Sequence, residues 1–192
     1  VDENGVGSPT IVGGDAQTNN GEATLYVGIS GTTATTYTLR FVATTNQGVP
    51  ITTVEQTGIS IEHGSAARVR ILRELSSDDG SGNLTKTGSA LNVQPVVEVV
   101  DANDNRVLDF TGTIRASLSA VVRGERDYLI ANTVSATAGV ATFSSLALVG
   151  EVGTNYRINF YRDGFVGNSA ESVDFALTHG DAEYLTIEDQ PL

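Results

Sequence analysis

GVATFSSLAL (139–148), YRINF (156–160) and SVDFALTHGDA (172–182) follow one another in the second half of the chain. An earlier stretch repeats that order of parts: GEATLYVGI (21–29), YTLRF (37–41) and GISIEHGSA (58–66). Gly21 answers Gly139 and Tyr37 answers Tyr156, while His63-Gly64 answers His179-Gly180 at an interval of 116 residues. A recurrence of domain length marks a tandem array rather than one compact enzyme.

Working outward from these parts, the alternation of side chains predicts strands throughout. Tyr37, Leu39 and Phe41 fall on one face of a strand with Thr38 and Arg40 on the other, the pattern of a half-buried β-strand. Ile59, Ile61 and His63 continue it in the next strand. Val69 and Ile71 alternate with Arg68 and Arg70. In 94–112, Val97 and Val99 are expected inward and Glu98 toward water, with Asp101 to Asn105 turning the chain and Val107 to Phe110 returning it. Ile114, Ala116 and Leu118 are expected inward, and 128–130, 140–148, 156–160 and 173–177 supply further strands. Residues 64–180 thus hold about seven strands at the spacing of a sandwich. No stretch keeps a 3.6-residue apolar period, so the chain reads as all-β. The predicted core is Val97, Val99, Ile114, Leu118, Phe143, Leu146, Tyr156, Ile158, Phe160, Val173, Phe175 and Leu177.

Composition narrows the function classes. Of 192 residues, 40% are hydrophobic, and no window nears the roughly 18 consecutive apolar residues a membrane helix needs. The net charge is −12 with a single lysine, Lys86. Such a surface repels phosphate backbones, which argues against nucleic-acid binding, and suits divalent cations. Cysteine is absent, which removes disulfides, thiol nucleophiles and thiolate metal sites. There is no G-x-S-x-G elbow, Walker loop or dinucleotide fingerprint. The two histidines share equivalent places before glycine, the mark of a structural task at a strand end, and one histidine per copy does not make a zinc site. No catalytic residue is expected.

Residues 88–180, above all GSALNVQPVVEVVDANDNRVLDFTGTI, GVATFSSLALVG, YRINF and FALTHGDA, resemble the bacterial immunoglobulin-like repeats of large secreted proteins. That resemblance implies tandem immunoglobulin-like antiparallel β-sandwiches at a cell surface or outside the cell, or on a virion. It implies work in surface arrays, S-layers, filaments, adhesins or phage fibres rather than catalysis. The cysteine pair and tryptophan of antibody domains are missing, with Leu39 and Ile158 at the strand-cysteine place. Tyr37 and Tyr156 stand where a tyrosine-corner contact would form.

The implied domain plan has three parts. Residues 1–63 are the second half of a repeat, 64–180 a complete repeat, and 181–192 the first strand of a following one or a donor strand. A half-sandwich of about sixty residues has too small a core to stand alone. Either the chain is a piece of a longer polypeptide, or a segment such as Glu183, Tyr184, Leu185, Thr186, Ile187 and Glu188 of a neighbouring copy completes it by strand donation. Head-to-tail donation does not close and builds a filament. The expected partners are therefore further repeats or neighbouring copies, with a host receptor or glycan if the loops serve an adhesin or phage fibre. An accessory module of a secreted hydrolase is the rival from the enzyme side.

The candidate chemistry is calcium. Asp101, Asn103, Asp104 and Asn105 place four oxygen-bearing side chains in five residues, and Asp78 and Asp79, with Asn83, do so less tightly. Calcium takes six to eight hard oxygen ligands. The plain alternative is a pair of Asn/Asp turns capping their own backbone. Asn83-Leu84-Thr85 matches a glycosylation sequon, and a solvated turn explains it as well.

Overall fold

The computed structural model describes residues 9–33, 36–119, 126–163, 165–180 and 182. Among them every regular element is a strand: β1 Thr10–Gly13, β2 Val27–Ser30, β3 Thr36–Thr44, β4 Pro50–Ser60, β5 Arg68–Arg73, β6 Val96–Val100, β7 Thr113–Leu118, β8 Tyr128–Ile130, β9 Thr133–Ser135, β10 Val140–Thr142, β11 Ala147–Val149, β12 Ile158–Arg162 and β13 Phe165–Glu171. All pairings between strands are antiparallel. The chain is an all-β protein.

It divides into two compact units. One runs up to Ala66 and takes in Asp101–Val107, and the other holds Ala67–Val100 and the chain from Leu108 on.

The second unit carries the core. One sheet has the order β10-β6-β5 and another the order β13-β12-β7-β9, with β11 paired to β8. Val97 and Val99 from β6, Ile114 and Ala116 from β7, and Ile158 and Phe160 from β12 are all buried. Their odd-even spacing is what a pleated strand needs to point successive large side chains one way. In the β12–β7 register Phe160 lies opposite Ala116, so a large residue meets a small one. Phe143, just past β10, tilts against Phe160 with ring centroids 5.5 Å apart, the offset geometry aromatic pairs prefer. The edges β5 and β13 are tied by Asn168 Nδ2 donating to Ala67 O at 2.6 Å.

Three expectations are corrected here. Glu98 does not face water: it is 2% exposed, because β6 is the middle strand of its sheet. Its carboxylate Oε1 accepts from Arg70 Nε at 2.9 Å and Nη2 at 2.6 Å, directly across the β5–β6 register. The chain does not return as a strand over 107–110; the next strand is β7, which pairs with β12 and β9 rather than β6. The strand expected at 173–177 sits upstream as β13, and Val173 is 55% exposed. Ser172 takes the buried place instead, its N–H donating to Ile158 O and its Oγ accepting from Ile158 N. The backbone then bulges over Val173 and Asp174 before Tyr156 pairs with Phe175.

The first unit is built differently from its sequence counterpart. β1 pairs with β2, and β3 with β4. Its buried apolar residues are Tyr37 and Val107, whereas Val12, Tyr26, Val42, Val49, Ile51 and Val54 are each more than half exposed.

Losing Arg70 removes two charge-assisted hydrogen bonds from a buried carboxylate, and weakening the pairing of a buried charge is costly. Arg70 is itself 43% exposed, so the expected loss for Arg70→Ala is about 2 kcal/mol, read from urea unfolding followed by circular dichroism. Glu98→Gln added to that variant should recover part of the loss; no recovery would mean that packing of the arginine stem, and not charge, is what matters.

Candidate functional site

Five residues of the form Asp-x-x-x-Asn occur at both predicted calcium loops, 79–83 and 101–105. The two fold alike. In each, the Asp N–H donates to the Asn carbonyl four residues on, at 3.2 Å in the first and 2.8 Å in the second. Asp79 Oδ1 accepts from Ser81 N at 2.8 Å and Asn83 N at 3.2 Å, and its Oδ2 accepts from Asn83 Nδ2 at 2.9 Å. Asp101 Oδ1 accepts from Asn103 N at 2.8 Å and Asn105 N at 2.9 Å, and its Oδ2 accepts from Asn105 Nδ2 at 3.2 Å. The fourth residue of each has positive φ, Gly82 at 86° and Asp104 at 67°, a conformation that Gly adopts freely and Asp tolerates better than most. Asp78 adds a further cap, its Oδ1 accepting from Gly80 N at 2.6 Å and Gly82 N at 3.2 Å.

These carboxylates are therefore spent on their own loops. Asn103 and Asp104 are exposed, whereas Asp101 and Asn105 are buried. Among the described residues no group of three or more His, Asp or Glu side chains gathers to hold a metal ion.

The 101–105 loop does more than turn the chain. Asp101 Oδ2 also accepts from Gly64 N at 2.7 Å. Asn105 Oδ1 accepts from Thr33 N at 3.0 Å, and its Nδ2 donates to Gly31 O at 3.2 Å. One loop so fastens two separate segments of the first unit. Burial pushes the Asp101 carboxyl up, but the N–H bonds, led by those from Gly64 and Asn105, outweigh it and hold the carboxyl below its usual range.

Gly31 belongs to a second device, present in both units. Tyr37 Oη accepts from Thr32 N at 2.9 Å and donates to Thr32 O at 3.1 Å. Tyr156 Oη accepts from Glu151 N at 2.6 Å and donates to Glu151 O at 3.2 Å. In each case the partner lies five residues upstream and a glycine lies six upstream. A Cβ on Gly31 would stand 2.6 Å from Tyr37 Oη, and one on Gly150 2.7 Å from Tyr156 Oη, so a side chain there would push the hydroxyl off its backbone partners. This is the backward hydroxyl-to-backbone contact of a tyrosine corner. Asp127 Oδ2 lies 3.2 Å from Tyr156 Oη as a further acceptor.

The pairing beside the tyrosines also recurs. Tyr37 is opposite Ile59 and Leu39 opposite Gln56, so Thr57 and Gly58 together face Thr38 in a one-residue bulge. Tyr156 is opposite Phe175 and Ile158 bonds Ser172, so Val173 and Asp174 together face Arg157 in a one-residue bulge.

Comparison with known proteins names no family. No family model matches the sequence, and no curated protein does. Among solved structures the chain is similar to the β-glucuronidase of Parabacteroides merdae with glycerol in its active site, at 16% identity and a TM-score of 0.38. That match covers 74% of this chain and only 16% of the glucuronidase. It is too loose to carry an argument about fold or activity.

Of the other residues singled out in the sequence, His63 places Nδ1 3.0 Å from Gly64 O, and His179 is exposed. Glu183, Tyr184, Leu185, Thr186, Ile187 and Glu188 lie outside the described residues. Sequence reading passed over Gly31 and Gly150, and it took Asn105 for a calcium ligand and not for the group that bonds Thr33 and Gly31. The signal for them was present as two paired spacings, Gly-x5-Tyr and Asp-x3-Asn.

The Asp101 bonds set a pH dependence. A carboxyl whose folded pKa is lowered contributes stability that is fully present above about pH 3.9 and is lost as pH falls through the lower folded value. Asp101→Asn should remove this acid limb. Asp101→Ala should speed exchange of the Gly64 amide about 30-fold at neutral pH, the equivalent of about 2 kcal/mol for bonds to a charged acceptor. Unchanged exchange would show that the loop does not hold Gly64 in solution.

Proposed function

We propose that this chain is a non-enzymatic structural module of an extracellular surface array or filament, built of immunoglobulin-like repeats that join end to end. The observation that carries the reading is the uncovered apolar face of the first unit beside its covered counterpart in the second. Leu39 and Phe41 on β3 answer Ile158 and Phe160 on β12 by the Tyr37–Tyr156 alignment. The second pair is fully buried and the first only half-buried. Leu25 answers Phe143 in the same way, at 38% against 2% exposed.

The difference traces to pairing. β12 has β13 on one edge and β7 on the other, while β3 has β4 alone among the described residues. Among the described residues the first unit has no counterpart of β7 or of the sheet that covers it. Strands of that kind come either from preceding repeat sequence in a longer polypeptide or from a donated segment of a neighbour. Both routes make end-to-end association the work of the molecule.

The acidic surface suits an exposed, mutually repelling array element. The recurrent tyrosine corner and bulge support a repeated domain, and the loops that looked like chemistry serve the backbone.

Antibody raised to the 76–83 loop should label intact, unpermeabilised cells or particles as continuous surface structure in electron micrographs. Replacing that loop by a Gly-Ser segment of equal length should leave the structures intact. Labelling that appears only after permeabilisation would contradict the proposal, and intact structures that lose host attachment after loop replacement would favour an adhesin.

A further inference from the structure

The first unit holds the 101–105 loop by three backbone groups: Gly64 N–H to Asp101 Oδ2, Thr33 N–H to Asn105 Oδ1, and Gly31 C=O to Asn105 Nδ2. Each position has a counterpart in the second unit. Gly31 and Gly150 both lie six residues before the corner tyrosine, and Thr33 and Val152 both lie four before it. Gly64 and Gly180 both follow the histidine that ends the last segment of the copy. The scaffolding between them matches as well, since both tyrosines bond back to the residue between, Thr32 or Glu151. The strand segments leading to the second glycine pair in the same bulged register, Tyr37 with Ile59 and Tyr156 with Phe175.

From this we infer that the second unit carries a receptor site for an Asp-x-x-x-Asn hairpin loop, formed by the N–H groups of Gly180 and Val152 and the carbonyl of Gly150. The occupant is the corresponding loop of a following domain of the same kind. The inference rests on the array reading given above and names the contact by which one repeat is fastened to the next.

Three observations favour that occupant. Gly180 is exposed and Val152 half-buried, and among the described residues neither N–H has an acceptor. Gly150 O accepts Thr87 Oγ1 at 3.0 Å, which leaves its second lone pair for an amide N–H, as a carbonyl can accept twice. Glu183 to Glu188 keep the alternation of 67–72, with Leu185 and Ile187 in the places of Val69 and Ile71. In the first copy the loop begins 37 residues after Gly64, and the same interval from Gly180 falls beyond Leu192. Charge selects the ligand: a carboxylate accepting from backbone N–H makes the stronger, charge-assisted bond, and the neighbouring Asn presents donor and acceptor together.

The test uses the whole chain, extended after Leu192 by a second copy of residues 77–180, which continues the 116-residue interval without a break. Amide hydrogen exchange of Gly180 and Val152 is compared with that of the unextended chain by nuclear magnetic resonance. The expected result is slowing by about 10-fold or more at both amides. Asp101→Ala in the appended copy should release Gly180, and Asn105→Ala there should release Val152, with the appended core amides still protected. Exchange at Gly180 unchanged by the extension, while the appended core is protected, overturns the inference and leaves the array reading standing. An appended copy with no protected core overturns both.

Discussion

A backbone N–H or C=O withdrawn from water must find a partner, and a strand has two edges on which to find one. β12 meets this on both sides, through β13 and β7. That pairing goes with complete burial of Ile158 and Phe160. β3 carries the matching residues Leu39 and Phe41, but it is paired only to β4 among the described residues. A two-stranded hairpin is marginal in water. The contrast between these strands governs how the core is distributed, and it is why one unit buries a full set of large side chains and the other two.

Around this contrast the same local devices appear in both units. A tyrosine hydroxyl closes on the backbone five residues earlier, over a glycine where a side chain would push the hydroxyl off its partners. A one-residue bulge, two residues facing one, follows directly on the tyrosine's cross-strand partner. Neither device needs the rest of a sandwich, because each is made within a few residues of chain and one neighbouring strand. Their survival in the first unit, where the core is open, fits local interactions that form before or without distant ones. The Asp-x-x-x-Asn loops are of the same type: a carboxylate that takes two N–H groups of its own turn pre-sets the turn whether or not anything is docked on it.

Much of this was legible in the sequence and some was not, for physical reasons. Period-two alternation located the strands around Tyr37, Ile114 and Ile158, because one face of each is buried. It failed at Glu98, since a central strand is covered on both faces and polarity then reports a paired charge instead of a wet side. It failed again at Val173, where a bulge inserts one extra residue and reverses the alternation that the apolar letters suggested. The carboxylates of Asp78, Asp79 and Asp101 read as metal ligands from composition. Asx loops and cation loops draw on the same residue types, and what separates them is where the N–H groups point. Gly31 and Gly150 were hidden because a glycine in a polar stretch reads as a generic turn, and only the fixed distance to a tyrosine gives it meaning.

The central proposal is that the first unit is one half of a sandwich of the kind that the second unit forms by itself. Residue-resolved hydrogen exchange on the 192-residue chain at neutral pH and low concentration tests it most directly. The account predicts that amides of β3 and β4 exchange at least about 1,000-fold faster than the central amides of β7 and β12, because their opening free energy lies near the low end of the range that folded chains span. Equal protection of β3 and β12 in the isolated chain would contradict it.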